Sequence, residues 1–219
     1  PAEYYRVNVG GTDNLLNKVI TPHVLFASTS SAWEMASPYA RSKVAAEDVI
    51  KEKADGHTIF RFFNVSGTDG VNRQLGAPTH LIRVAAMVAA GKIPDLKIFG
   101  TDYDTRDGTC IRDYIHVIDL AKAHIKALER LLNPKQQSNY DVFNIGTGKG
   151  NSVMEVIKTF EKVSNHKLNY KIGARRKGDI IEAYADTKKA NKILDWRAKF
   201  SLEDAILSAW EWEKKLQEL

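Results

Sequence analysis

The sequence has 219 residues, 43% of them hydrophobic and 27% charged, enough for one large domain or two small ones with an ordinary core. Its net charge of +5 favours anionic partners, but Lys and Arg are interspersed with Asp and Glu and form no long run, which speaks against nucleic acid and for an anionic small molecule. No apolar run approaches the roughly 20 residues of a membrane span, no signal peptide is legible, and a single cysteine, Cys110, excludes an internal disulfide and fits a reducing cytoplasm.

Residues 23–28 predict a buried strand, 37 to about 53 a helix, and 57–63 the next strand, an order that argues for a parallel βαβ unit. Residues 64–78, with three glycines and Pro78, read as a loop. A helix follows over about 79–90, stopped by Gly91, and then a short strand over 96–99. A polar loop over 100–109 leads to a strand over 113–117 and a helix over about 118–132. The remaining expectations are a strand over 141–145, a helix from Ser152 to about 163, a strand over 168–172, and helices near 187–194 and 202–217. Ser201 and Asp204 have the spacing of a capping box at the last of these. The whole reads as an α/β chain without a proline-rich linker.

Ser37 and Pro38 predict the N-cap and first residue of the 37–53 helix, which places Tyr39 in its first turn and Lys43 on the same face. A phenol with the ordinary pKa of about 10 is a poor base at neutral pH. An ammonium nearby and a helix N-terminus both favour the phenolate, so this pair can act as a general base. Ser28 and Thr29 end the preceding strand, where α/β sheets bind ligands, and either hydroxyl can donate to the oxygen that Tyr39 deprotonates. Taken alone, Tyr-x-x-x-Lys is a common helical spacing and strand-end hydroxyls are commonly just solvated. Arg112 and Arg176 stand beside glycine-bearing loops and offer planar donors to a diphosphate, with Asp179 as acceptor for ribose hydroxyls. The competing reading is that these arginines pair with Asp113 or Asp179. His80 and His116 read as packing or hydrogen-bonding residues, and no cluster has metal-ligand spacing, so no catalytic metal is expected. Gly146-Thr147-Gly148-Lys149-Gly150 lacks the G-x-G-x-x-G spacing of a dinucleotide loop and reads as a tight strand-to-helix turn, with Asn151 or Ser152 as the cap.

Five stretches carry a family resemblance: 37–43 (SPYARSK), 61–65 (RFFNV), 98–117 with its Asp-Gly-Thr-x-x-Arg-Asp-Tyr-Ile-His-Val run, 143–148 (FNIGTG) and 175–179 (RRKGD). In this order they resemble the extended short-chain dehydrogenase/reductases, and within them the nucleotide-sugar 4-epimerases. The resemblance implies a Rossmann-like parallel sheet with a smaller C-terminal α/β substrate domain, divided as 1–64 and 65–219 with 113–148 returning to the main sheet. It implies bound NAD, a UDP-sugar substrate, interconversion of UDP-glucose and UDP-galactose through transient oxidation at C4, and a cytoplasmic homodimer.

By position, the resemblance makes Tyr39 the base and has Lys43 hold the nicotinamide ribose while lowering the Tyr39 pKa. Thr29 bonds the sugar hydroxyl, and Asn8, Ser28 and Phe63 join the cofactor contacts. Asn64, His80 and Leu81 belong to the nucleotide loop, and Phe99 stands beside uracil. Arg112, Arg176 and Asp179 grip pyrophosphate and ribose, and a small residue, Ala183, near the position that gates N-acetyl sugars also admits UDP-N-acetylglucosamine.

The family's glycine-rich phosphate-binding turn belongs to a first βαβ unit, and this sequence starts inside the family pattern at Pro1. The resemblance therefore implies either part of a longer protein or a deletion product, with little NAD binding or turnover expected of these 219 residues alone. The interval from Thr29 to Tyr39 is also shorter than the family's. Ser30-Ser31 after Thr29, where a 4,6-dehydratase carries Asp-Glu, disfavours elimination. Other UDP-sugar epimerases, a decarboxylase and a non-catalytic nucleotide-sugar-binding remnant stay open.

Overall fold

A computed structural model describes residues 1–21, 23–72, 76–133 and 140–216. Residues 73–75 of the expected 64–78 loop and residue 217 of the expected last helix lie outside the described residues.

The chain begins with α1 (Ala2–Tyr5), a π-type turn over Arg6–Gly10, and α2 (Gly11–Lys18). Then come β1 (Val24–Thr29), a 3₁₀ turn over Ser30–Trp33, α3 (Pro38–Lys53) and β2 (His57–Phe62). The Ser37 hydroxyl accepts from the Ala40 amide at 3.1 Å, and Pro38 fills the position where a missing N–H costs nothing, so the cap falls where the sequence put it. Residues 64–66 are not loop but β3 (Asn64–Ser66), followed by α4 (Leu81–Ala89) and β4 (Leu96–Phe99). The chain continues through β5 (Ile111–Arg112), β6 (Tyr114–His116), α5 (Val117–Leu131), β7 (Tyr140–Ile145), β8 (Asn151–Ser152) and α6 (Val153–Ser164). It ends in β9 (Tyr170–Gly173), β10 (Glu182–Ala183), α7 (Lys188–Ile193) and α8 (Leu202–Lys215).

Two compact units are present. The first comprises 1–63, 122–145 and 185–197. Its sheet is parallel, in the order β1-β2-β7, with Thr29 opposite Phe62 and Phe62 opposite Ile145 at the C-terminal edge. Ile59, Phe60, Phe143 and Ile145 are buried in it with Ala40, Ala46 and Ile50 of α3 and Ala123 and Ala127 of α5. Alanines at these helix positions let the helices approach the strands closely, and the Phe60 and Phe143 rings meet edge to face at 6.1 Å.

The second unit comprises 64–121, 146–184 and 198–219. Its core joins Ile82, Ala85 and Ala86 of α4, Leu96 and Ile98 of β4, Val156, Ile157 and Phe160 of α6, and Ile206 and Trp210 of α8. Each large apolar side chain buried here contributes about 1.5–3 kcal/mol. β3 pairs with β6 and β4 with β9, both in parallel, and β5 lies between a parallel β10 and an antiparallel β8. Ser152 and Glu155 close a capping box on α6, as Ser201 and Asp204 do on α8.

The Gly146–Gly150 turn has a second use. The Asp113 carboxylate, fully buried, accepts from the Thr147 amide at 2.9 Å, the Thr147 hydroxyl at 2.6 Å and the Gly148 amide at 2.9 Å. Successive amides converging on one anion form a nest of the kind that elsewhere receives phosphate. Here the chain's own side chain fills it. His116 is a hydrogen-bonding core residue: its Nδ1 accepts from the Ile118 amide at 3.1 Å, its Nε2 lies 3.2 Å from the Ser208 hydroxyl, and its ring stacks on Phe200.

Candidate active site

The first unit gathers Tyr39, Lys43, Thr29, Ser28 and Asn8 around the start of α3. Tyr39 is 38% exposed and stands in the first helical turn, its ring edge-on to Tyr4 at 5.7 Å. Burial pushes its phenol above the ordinary value, the nearby Tyr4 adds to this, and a hydrogen bond with Thr29 pulls the other way. Thr29 is therefore the strand-end hydroxyl beside the phenol. The Thr29 Oγ1 also accepts from the Ser31 amide at 3.2 Å.

Ser28 is turned elsewhere. Successive strand residues alternate in direction, and the Ser28 hydroxyl donates to the buried Glu47 carboxylate at 2.5 Å. Asn8 donates from Nδ2 to the Ser42 hydroxyl at 2.9 Å, which in turn donates to the Tyr39 carbonyl at 2.8 Å, so this pair braces the first turn of α3. Phe63 follows β2 directly, its amide bonded to the Ile145 carbonyl at 3.3 Å.

Lys43, expected to lower the Tyr39 pKa, stands one turn further along α3. The Lys43 ammonium donates to the Ala27 carbonyl at 2.8 Å and lies 4.7 Å from the centre of the Phe26 ring. The ammonium is thus directed at the strand. Burial lowers the Lys43 pKa, and the carboxylate of Glu47 one turn on opposes that.

Glu47, Arg61 and Trp33 are the functional-looking neighbours that sequence reasoning missed. Arg61 binds Glu47 through Nε at 2.9 Å and Nη2 at 2.6 Å, and the Trp33 ring lies 5.0 Å from its guanidinium. Glu47 stands four residues after Lys43, as Lys43 does after Tyr39, and that repeat was the available signal.

The second unit holds the other residues. Arg112 pairs with Asp179, Nη2 to Oδ1 at 2.7 Å, while its Nη1 donates to the Ile111 and Ile181 carbonyls. Arg112 and Asp179 are thus an ion pair in the structure. Arg176 is exposed and lies flat over Phe99, 3.6 Å from its ring centre. Next to it, Arg175 covers Tyr103 at 4.3 Å and donates to Asp102. The 100–109 loop bends at Gly108, where φ is +79° and a Cβ would lie 2.1 Å from the Thr101 carbonyl oxygen, so only glycine fits. Asn64 bonds through its amide to the Asp113 carbonyl at 3.0 Å. His80 is the N-cap of α4 without a side-chain bond to the helix, and Leu81 is the first residue of that helix. Ala183 stands opposite Arg112 in the β10–β5 pair.

These residues suit a nicotinamide dinucleotide at its ribose end. A lysine with three N–H donors, a phenol and a threonine hydroxyl meet at the C-terminal edge of a parallel sheet, where such ligands seat. Two guanidinium groups, an aromatic face and a carboxylate suit a nucleoside diphosphate.

A family model described as GDP-mannose 4,6 dehydratase matches residues 23–208. The UDP-glucose 4-epimerase of Bacillus subtilis (strain 168) is 36% identical over 239 residues, covering 97% of this chain and 70% of that protein. The one from Homo sapiens is 36% identical, covering 98% and 69%. Among solved structures, UDP-glucose 4-epimerase from Bifidobacterium longum in complex with NAD+ and UDP superimposes with a TM-score of 0.90 at 33% identity, covering 98% of this chain and 71% of that one. The UDP-Glc/GlcNAc 4-epimerase from Campylobacter jejuni gives 0.78 at 36% identity, covering 98% and 72%.

Proposed function

The chain belongs to the extended short-chain dehydrogenase/reductases and within them to the UDP-glucose 4-epimerases, and from that premise we propose Tyr39 as its base and Thr29 and Lys43 as the groups that orient it. The activity is the NAD-dependent interconversion of UDP-glucose and UDP-galactose. The single observation that carries the residue assignment is Tyr39 in the first turn of α3, with Lys43 one turn on and bound to the Ala27 carbonyl of β1, the strand that ends at Thr29.

Bound NAD supplies the hydride acceptor and donor for the exchange at sugar C4. Tyr39 takes the proton of the 4-hydroxyl and later returns it. Thr29 donates to the phenolate oxygen and so favours the form that accepts the proton. Lys43 holds a ribose hydroxyl with the N–H donors that Ala27 does not take. Asn8, Ser28 and Phe63 line the cofactor side, Ser28 through its backbone.

Arg112 and Arg176 hold the diphosphate, Asp179 the ribose and Phe99 the uracil face, with Asn64, His80 and Leu81 as the nucleotide loop. Firm anchoring at the diphosphate lets the oxidised sugar turn over without leaving. On this reading the first unit takes the cofactor and the second the UDP-sugar. We also infer a cytoplasmic homodimer, from the family and the single cysteine; among the described residues no helix is long and apolar enough to cross a membrane. Sedimentation of the purified protein checks the dimer.

Ala183, small and opposite Arg112, favours UDP-N-acetylglucosamine as a second substrate. The test of the main reading is conversion of UDP-galactose to UDP-glucose by the purified protein with NAD+ supplied. Absence of conversion, with UDP bound, would leave the non-catalytic reading in its place.

A further inference from the structure

Glu47 is fully buried on α3, where a lone carboxylate would be strongly disfavoured. It is neutralised by a built set of donors: Ser28 Oγ at 2.5 Å, Arg61 Nε at 2.9 Å and Arg61 Nη2 at 2.6 Å, with Lys51 Nζ at 3.8 Å. Ser28 and Arg61 are register partners across β1 and β2. One carboxylate therefore ties the C-terminal ends of two adjacent strands to the helix that carries Tyr39. Trp33 covers Arg61 from outside, and its Nε1 lies 3.4 Å from Asn144 Oδ1 on β7, opposite Arg61.

The contacts form a ladder. Tyr39, Lys43 and Glu47 recur every four residues on α3, and they meet Thr29, the Ala27 carbonyl and Ser28, three consecutive residues of β1. The groups around Lys43 are Glu47 on its own helix and, behind that carboxylate, Arg61 of β2 and Lys51 of α3. From β1 it meets the Ala27 carbonyl and the Phe26 ring. Glu47 is the anion that opposes the effect of burial on Lys43.

We propose that Glu47, held by Ser28 and Arg61, is a positioning residue that fixes the Thr29 end of β1 against the helix carrying Tyr39 and places its charge one turn from Lys43. This deepens the reading of Tyr39 as base and rests on it. Glu47 acts through the strand end and through its charge, and does not itself touch substrate.

The test compares the unaltered protein with E47Q, E47D and S28A. Lys43 and Tyr39 are followed by NMR titration with ¹⁵N-lysine and ¹³Cζ-tyrosine, their signals assigned by loss in K43R and Y39F, so neither readout needs cofactor or turnover. In E47Q the Lys43 midpoint shifts to lower pH, and E47D, which restores the charge, returns it toward the unaltered value. In S28A, which keeps the ion pair, the Tyr39 midpoint shifts to higher pH as the bond from Thr29 loosens. If E47Q does not fold, S28A alone decides. A Lys43 midpoint unmoved in folded E47Q, or a Tyr39 midpoint unmoved in S28A, overturns the proposal. Failure of the base assignment shows differently, as Y39F that still epimerises while both midpoints move as expected.

Discussion

The ammonium of Lys43 donates to the carbonyl of Ala27 at 2.8 Å, so the positive charge one turn along α3 from Tyr39 is anchored to the strand and not to the phenol. Burial then dominates, and the free protein holds Tyr39 as a neutral phenol with its pKa above the ordinary value. A raised phenol pKa means that the basic form becomes more abundant with rising pH throughout the neutral range. The logarithm of kcat/KM is expected to climb with a slope of about one per pH unit between neutrality and mild alkalinity. Difference absorbance at alkaline pH, unaltered protein minus Y39F, locates the phenol; a midpoint below that of free tyrosine would contradict this account.

Replacing Tyr39 by Phe removes the proton acceptor and leaves the ring. Turnover should fall by roughly 10²–10⁴-fold, the usual worth of a positioned general base. UDP affinity, which the proposed reading assigns to the second unit, should stay within about twofold. Progress curves of UDP-galactose conversion and calorimetric titration with UDP measure the two sides of this expectation.

Arg112 keeps its fork oriented through Asp179 and two carbonyls, which suits it to a diphosphate. Arg112→Ala should weaken UDP binding by about 10–100-fold, the equivalent of one or two hydrogen bonds to a charged group. Arg112→Lys should recover little, since a point charge cannot reproduce the planar pair of donors. Equal UDP affinity in all three proteins would remove Arg112 from the site.

Asp113 is held by the amides of Thr147 and Gly148 and by the Thr147 hydroxyl. Asp113→Asn turns one acceptor into a donor facing those N–H groups. The cost should be about 2–4 kcal/mol, read as a lower urea midpoint. A midpoint within error of the unaltered protein would mean that the nest tolerates an amide.

Tyr114 is almost wholly buried, and burial raises its phenol pKa far above the ordinary range. The folded state thus keeps a proton that the unfolded chain surrenders near pH 10. Stability from this group is complete below that pH and declines as pH rises beyond it, by about 1.4 kcal/mol per pH unit for one proton. Urea midpoints from pH 9 upward should fall more steeply for the unaltered protein than for Tyr114→Phe.

The sequence was most legible where local chemistry decides the outcome. Ser37-Pro38 at α3 and Ser201 with Asp204 at α8 state their caps outright, and the apolar runs of β1 and β2 need no neighbours to be recognised. β3 was read as loop because three residues ahead of Gly67 carry no period, and only pairing with β6 makes them a strand. β5, β8 and β10 have two residues each and exist solely through their partners. At the site, residue types and spacing located Tyr39, Lys43 and Thr29, but not where each side chain is spent. Lys43 going to a carbonyl, Ser28 to Glu47 and Asp113 to its own glycine turn are outcomes of packing, and no spacing rule contains them.

The rungs between α3 and β1 also govern which parts of this chain can change length. One residue inserted or removed between Tyr39 and Glu47 would swing everything after it by about 100° around the helix axis and break the match with Ala27, Ser28 and Thr29. The turn over residues 30–36 has no helical register to keep: beyond the cap it meets α3 through the Arg41 guanidinium, which donates to the Met35 and Ala36 carbonyls and can follow a displaced loop. Natural variation in size is therefore expected ahead of Ser37, and an engineered loop or tag grafted there should be tolerated where the same graft one helical turn later would not.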